Sequence, residues 1–121
     1  MENRTIFIIA ELRKGCMTQE TYELVSFARA VDNGKKPVFL LLGKNVEGQA
    51  REISQKTGCD SLVLTADHLE HYNALSYAHA LMEILQERTA CWVCLPHTSM
   101  GYDLGPRLAV LLNAACITGV E

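Results

Sequence analysis

Apolar residues along this chain arrive in short continuous runs, separated by longer stretches in which they recur every three or four positions. The run over 5–12 has the length of a strand. A polar loop, Arg13-Lys14-Gly15, follows it, and Thr18 is placed to cap a helix reaching about Val31. That helix buries Leu24, Phe27, Ala28 and Val31 and stops at Gly34. Residues 37–42 are apolar without alternation, the pattern of a strand covered on both faces. Gly43 and Asn45 turn the chain into a second helix with Val46, Ala50 and Ile53 inward, weakened by Gly48 and ended by Gly58. A third strand over 61–65 leads into an acidic, histidine-bearing loop, 67–72. The third helix, about 74–86, carries Ala78, Leu81, Met82 and Leu85 on one side. Residues 91–95 form the fourth strand. Leu104, Leu108, Leu111 and Leu112 then mark a fourth helix, and 115–120 a short fifth strand.

Strand and helix alternate throughout, so the spacing predicts right-handed crossovers and a parallel sheet between helical layers: an α/β, three-layer domain. At 121 residues the chain reads as one domain, 1–121. A net charge of −3 and the lack of any Lys or Arg run argue against nucleic acid as a partner. Residues 6–10 are too few to span a membrane and too near the start to follow a signal peptide's basic segment. A soluble, cytoplasmic protein is expected. Five cysteines cannot close into a full disulfide framework, and most lie in apolar runs, as small buried residues do. Cys91-x-x-Cys94 suggests redox or zinc chemistry. On a strand, however, residues three apart point to opposite faces, so core packing is the better reading.

Candidate chemistry concentrates between the fourth strand and fourth helix. Such a loop joins a strand's carboxyl end to a helix's amino end, where α/β proteins place ligands or partners. Thr98, Ser99, Gly101, Asp103 and Arg107 are the interface or rim candidates. Thr98, Ser99 and Asp103 could each cap the helix. Pro106 fits only in the helix's first turn, where its missing N–H has no partner to lose. Arg107 near a helix amino end opposes the macrodipole and needs either an internal acid, Asp103 or Glu11, or an external anion or partner; a partly buried internal pair is expected. Asp67, His68, Glu70, His71 and His97 are metal-capable types without a metal-binding spacing, so no metal is expected. No catalytic residue is assigned: Ser99 lacks a nucleophile elbow, and neither G-x-G-x-x-G nor a P-loop is present.

The segment Thr98-Ser99-Met100-Gly101-Tyr102-Asp103-Leu104-Gly105-Pro106-Arg107-Leu108-Ala109 resembles the T-x-x-G-R-D-L-A-P-R-L-A signature of electron-transfer flavoprotein α subunits. Ile8-Ile9-Ala10-Glu11 is similar to that family's first strand, Leu40-Leu41-Leu42-Gly43 to its second and Ala114-Ala115-Cys116-Ile117-Thr118 to its fifth. Tyr102, Gly105 and Gly119 depart from the pattern, so no charge-based role carries over at 102 or 119. The resemblance implies a five-stranded parallel sheet of order 3-2-1-4-5, adenine nucleotide α-hydrolase-like, in an amino-terminal domain. It implies an electron carrier rather than an enzyme. FAD is then expected in the full-length protein but not in this fragment, whose FAD-binding carboxyl-terminal domain is missing. The implied partners are the β subunit, that missing FAD domain and, in the full assembly, dehydrogenases. The alternative is a free-standing adenine-nucleotide-binding domain of universal-stress-protein type, which would need a glycine-rich phosphate loop where Leu104 and Pro106 stand.

Overall fold

A computed structural model describes residues 5–13, 16–31, 37–86, 90–96 and 98–112. Four parallel strands make its main sheet: β1 (Thr5–Ile9), β2 (Val38–Gly43), β3 (Asp60–Thr65) and β4 (Ala90–Cys94), in the order β3-β2-β1-β4. Five strands were expected. The segment assigned to the fifth, 115–120, lies outside the described residues, as does the helix stop at Gly34.

The helices are α1 (Gln19–Val31), α2 (Glu47–Thr57), α3 (Ala74–Gln86) and α4 (Ser99–Leu112). Strand order moves outward from β1 through β2 to β3, then jumps back across to β4. Right-handed crossovers must therefore put α1 and α2 on one face and α3 on the other. The core divides accordingly. Ile6, Ile8, Phe39 and Leu41 pack with Val25, Ala28 and Ile53, whereas Phe7, Ile9, Leu40 and Leu42 pack with Ala78, Leu81, Leu104 and Leu108. Successive residues of β1 and β2 thus feed opposite cores, which is why their sequences are apolar without alternation. The outer strand β3 alternates instead, with Asp60, Val63 and Thr65 exposed.

The first strand is shorter than its apolar run. It ends at Ile9, and Leu12–Arg13 pairs antiparallel with Cys16–Met17 in a separate two-residue ladder. Glu11 causes the break. Its N–H donates to Thr21 Oγ1 (3.1 Å) and its carbonyl accepts from the Thr18 N–H (3.0 Å), so the backbone groups that would extend the sheet are held by the start of α1. The buried side of α1 runs through Thr21, Val25 and Ala28, with Leu24 and Phe27 half-buried; the side chain of Val31 lies outside what is described. Thr18 caps this helix as expected, its Oγ1 accepting the Thr21 N–H at 3.4 Å and lying 2.8 Å from the Thr21 hydroxyl.

Helix α2 ends as its glycine requires: Gly58 has φ 71°, and its N–H donates to the Ser54 carbonyl at 2.9 Å. Gly48, inside the same helix, faces open space, and a β-carbon there would meet nothing within 4 Å. Gly48→Ala is expected to stabilise the chain by about 0.5–1 kcal/mol, seen as a higher denaturant midpoint with an unchanged slope.

The loop over 67–72 contains a 3-10 turn, Asp67–Leu69, anchored by the buried Leu69. Asn73 then caps α3, its Oδ1 accepting the Ser76 N–H at 3.0 Å.

Candidate functional site

The switch in strand order lies between β1 and β4, so their carboxyl ends and the following loops form the rim where a ligand or partner would be met. Glu11, Thr18 and Thr21 occupy the β1 side, and Pro96 with Thr98 the β4 side. All five are buried.

Of the candidate capping oxygens after β4, Thr98 does the work. Its Oγ1 accepts the Gly101 N–H at 3.4 Å, and its carbonyl accepts the Tyr102 N–H at 2.9 Å. Its own N–H turns back to the Pro96 carbonyl at 2.9 Å. Gly101 is required by a close approach: a β-carbon there would stand 1.9 Å from the Pro96 carbonyl oxygen and 3.6 Å from Leu95 Cβ. Backbone on one side and helix on the other leave no room for a methyl group. Ser99 is exposed at the helix's first position.

Capping at Thr98 puts Pro106 deeper than expected. It is the eighth helical residue, in the third turn rather than the first, and α4 continues past it to Leu112. The proline costs the hydrogen bond its N–H would give to the carbonyl four residues back. It sits on the exposed side of the helix, where the ring meets water and the opposite side stays packed through Leu104 and Leu108.

Asp103 and Arg107 point outward and away from Thr98 and Gly101. Arg107 Nε donates to Asp103 Oδ1 at 3.4 Å, with the two side chains 55% and 46% exposed. The partly buried pair expected for Arg107 is therefore an exposed pair within one helix. Asp103, not Glu11, is its acid, and the macrodipole problem vanishes because residue 107 lies well inside α4. An exposed i,i+4 pair contributes about 0.3–0.5 kcal/mol. Arg107→Ala is accordingly expected to shift the denaturant midpoint by little.

Asp103 also has a partner the sequence did not announce. Tyr72 donates its O–H to Asp103 Oδ2 at 2.8 Å, across 31 residues of chain. The Tyr72 ring meets Tyr77 edge-on, with centroids 5.1 Å apart at 83°. The Tyr77 O–H in turn donates to the Leu69 carbonyl at 2.9 Å and lies 3.4 Å from that of Leu42. Burial and the Asp103 carboxylate both raise the Tyr72 pKa, burial being the larger cause. No local spacing could have found this cluster, because it joins the end of β2, the 67–72 loop and α4.

The five candidates thus do not converge. Thr98 and Gly101 build the loop from within, while Ser99, Asp103 and Arg107 present an outer face beside the exposed Tyr102 and Val110. Nor do the described residues form a cradle for a flavin diphosphate. Gly101 is closed by Pro96 and Gly43 by Val46 Cγ1 at 2.8 Å, and the Thr18 and Thr98 hydroxyls are engaged with the chain's own N–H groups.

Cys94 is buried, and desolvation pushes its thiol up to about 11, the opposite of a redox cysteine. The side chain of Cys91, and His97 altogether, lie outside the described residues. Among the described residues no three His, Cys, Asp or Glu side chains gather as a metal site, and no helix is long and apolar enough to cross a membrane. Thiol reagents should label the exposed Cys16 rapidly in the native state and the buried Cys59 and Cys94 only slowly. Native labelling of Cys94 as fast as Cys16, read by peptide mapping, would contradict its place in the core.

Residues 6–121 match the family model described as "Electron transfer flavoprotein domain". The chain belongs to the electron transfer flavoprotein family. It is 29% identical over 117 residues to the electron transfer flavoprotein subunit alpha of Bacillus subtilis (strain 168), covering 95% of this chain and 35% of that protein. It is 35% identical over 114 residues to the acryloyl-CoA reductase electron transfer subunit beta of Anaerotignum propionicum, covering 91% and 30%. A third relative, protein FixB of Clostridium saccharobutylicum, is 33% identical over 110 residues, covering 89% and 33%. The chain spans about a third of the length of these three relatives. Membership does not favour the universal-stress-protein alternative.

Proposed function

We propose that this chain is the amino-terminal scaffold domain of an electron-transfer flavoprotein α subunit. In that reading it packs on a β subunit and supports a FAD-binding carboxyl-terminal domain. The whole assembly passes electrons through FAD from dehydrogenases to an acceptor, in the cytoplasm. The chain itself is a carrier fragment, not an enzyme. Its sheet continues with a fifth strand beside β4, giving the order 3-2-1-4-5 of an adenine nucleotide α-hydrolase-like domain. FAD would supply the redox chemistry, and this domain's residues would orient its neighbours.

The observation that carries this reading is the family match over 6–121 in a chain whose rim glycine, Gly101, is filled by its own backbone. A phosphate cradle leaves its glycine faces open to the ligand, whereas among the described rim residues Gly101 is closed by the Pro96 backbone. The outer face of α4 is the part of the candidate set suited to meet a partner. Tyr102 and Val110 are exposed apolar groups, and Asp103 and Arg107 already neutralise one another, so covering them strands no unpaired charge.

Purified chain, dialysed thoroughly and then titrated with FAD, tests the cofactor half of the proposal. No flavin absorbance should remain after dialysis, and FAD fluorescence should be unquenched at micromolar protein. Retained yellow colour would show that this domain holds the flavin itself.

A further inference from the structure

We infer that the outer edge of β3 is a self-association surface, where a second copy of this chain pairs antiparallel over residues 61–65 and joins the two sheets into one. Among the described residues β3 pairs with β2 alone, at the end of the order β3-β2-β1-β4. It lacks the features that usually blunt such an edge. Asp60–Thr65 holds no lysine and no proline, and its register with β2 runs without a bulge. One bond fixes which way its backbone groups point. The Ala66 N–H donates to the Gly43 carbonyl on β2 at 3.2 Å, and Ala66 is still extended, with φ −161° and ψ 152°. Backbone groups alternate sides along a strand, so those of Leu64 and Leu62 also turn to β2. Those of Ser61, Val63 and Thr65 turn outward.

The side chains decide the occupant. Read outward from Val63 in either direction, the strand is a chemical palindrome, with leucine at 62 and 64 and a hydroxyl at 61 and 65. A two-fold axis normal to the sheet through Val63 sets Val63 against Val63, Leu62 against Leu64 and Ser61 against Thr65. Like then meets like at every position, which is the condition for an isologous contact. The outward-turned residues, Ser61, Val63 and Thr65, are also the ones that become the hydrogen-bonded pairs of the new ladder. Asp60, the strand's one charge, falls opposite Ala66. A parallel copy would instead line Asp60 up with Asp60, and a partner of unrelated sequence would gain nothing from the symmetry.

Pairing covers Val63, which is 37% exposed in the single chain. Leu62 and Leu64 already pack against the core on the α3 side of the sheet, and the second copy's leucines continue that core across the junction. Ser61 Oγ, buried without a hydrogen-bond partner among the described residues, then lies across from a second hydroxyl. A single strand edge buries much less than a standard interface, so the dimer is weak and concentration-dependent. β3 and β4 stand at opposite ends of the sheet, so this pairing is separate from the rim beside β4.

Sedimentation equilibrium of the reduced chain alone, at concentrations up to about 1 mM, tests this. A monomer–dimer equilibrium is expected. Val63→Lys sets two ammonium groups together on the axis and should weaken the dimer by about tenfold or more, with the urea midpoint of dilute protein unchanged. An equal mixture of Val63→Lys and Val63→Glu should pair again, which an unfolded variant could not do. A chain that stays monomeric throughout overturns the inference, and so does a dimer that Val63→Lys leaves intact. The register has its own readout, because facing residues of a hydrogen-bonded pair lie about 5.5 Å apart at Cα, within disulfide reach. In air-oxidised Val63→Cys, peptide mapping should find residue 63 linked to residue 63 ahead of any link through the exposed Cys16. Linkage through Cys16 first would overturn the pairing about Val63.

Discussion

Gly101→Ala is expected to be among the most damaging single substitutions in this chain. The added β-carbon would stand 1.9 Å from the Pro96 carbonyl oxygen, and both groups are backbone-anchored, so neither can rotate away. Either α4 must retreat from the β4 loop or the loop must open, and each movement breaks the Thr98 cap. Overpacking in a closed core costs about 1–3 kcal/mol and occasionally more; with no flexible neighbour to yield, about 3 kcal/mol or more is expected here. A domain of this size has about 5–15 kcal/mol of stability in total, so the loss should appear as a large fall in the urea midpoint. A midpoint within error of the unsubstituted chain would mean that Gly101 and Pro96 are not in contact.

Leu104→Ala should be comparably severe, for the opposite reason. Leu104 is fully buried on the inner side of α4, in the core with Leu81, Leu40 and Phe7. Removing its side chain leaves a cavity under the helix and should cost about 2–5 kcal/mol. Arg107, one turn further along on the outer side, should tolerate alanine almost without effect on stability. The contrast tests the orientation of α4 as a whole. A mild Leu104→Ala beside a damaging Arg107→Ala would mean that the helix presents the wrong side to the sheet.

Elements whose logic is local were legible in the sequence. The apolar run over 37–42, observed as a strand at 38–43, the cap at Thr18, the stop at Gly58 and the span of α3 all follow from neighbouring residues, and all appear in the structure. Features set by distant parts of the chain were not. The first strand stops early because a threonine ten residues later takes the Glu11 N–H. Val25, not only Leu24 and Phe27, turns inward, on the side of α1 that carries the buried Thr21 and Ala28.

At the site the same division holds. Thr98 was one of several plausible caps, and choosing it fixed the depth of Pro106 and Arg107 in the helix, which reverses the argument that Arg107 needs a buried partner. The Tyr72–Asp103 contact joins segments 31 residues apart and leaves no periodic trace. The glycine at 101 was visible as a residue. The carbonyl it approaches was not, because the β4 loop returns to that point only in three dimensions.

In the proposed scaffold role the domain works by packing on a β subunit. Sedimentation velocity of the chain mixed with an electron-transfer flavoprotein β subunit from the same organism measures that packing. A one-to-one complex is predicted, weakened by Val110→Glu on the outer face of α4 while the variant's urea midpoint stays unchanged. A chain that sediments alone at every β-subunit concentration, in the presence and absence of FAD, would contradict it.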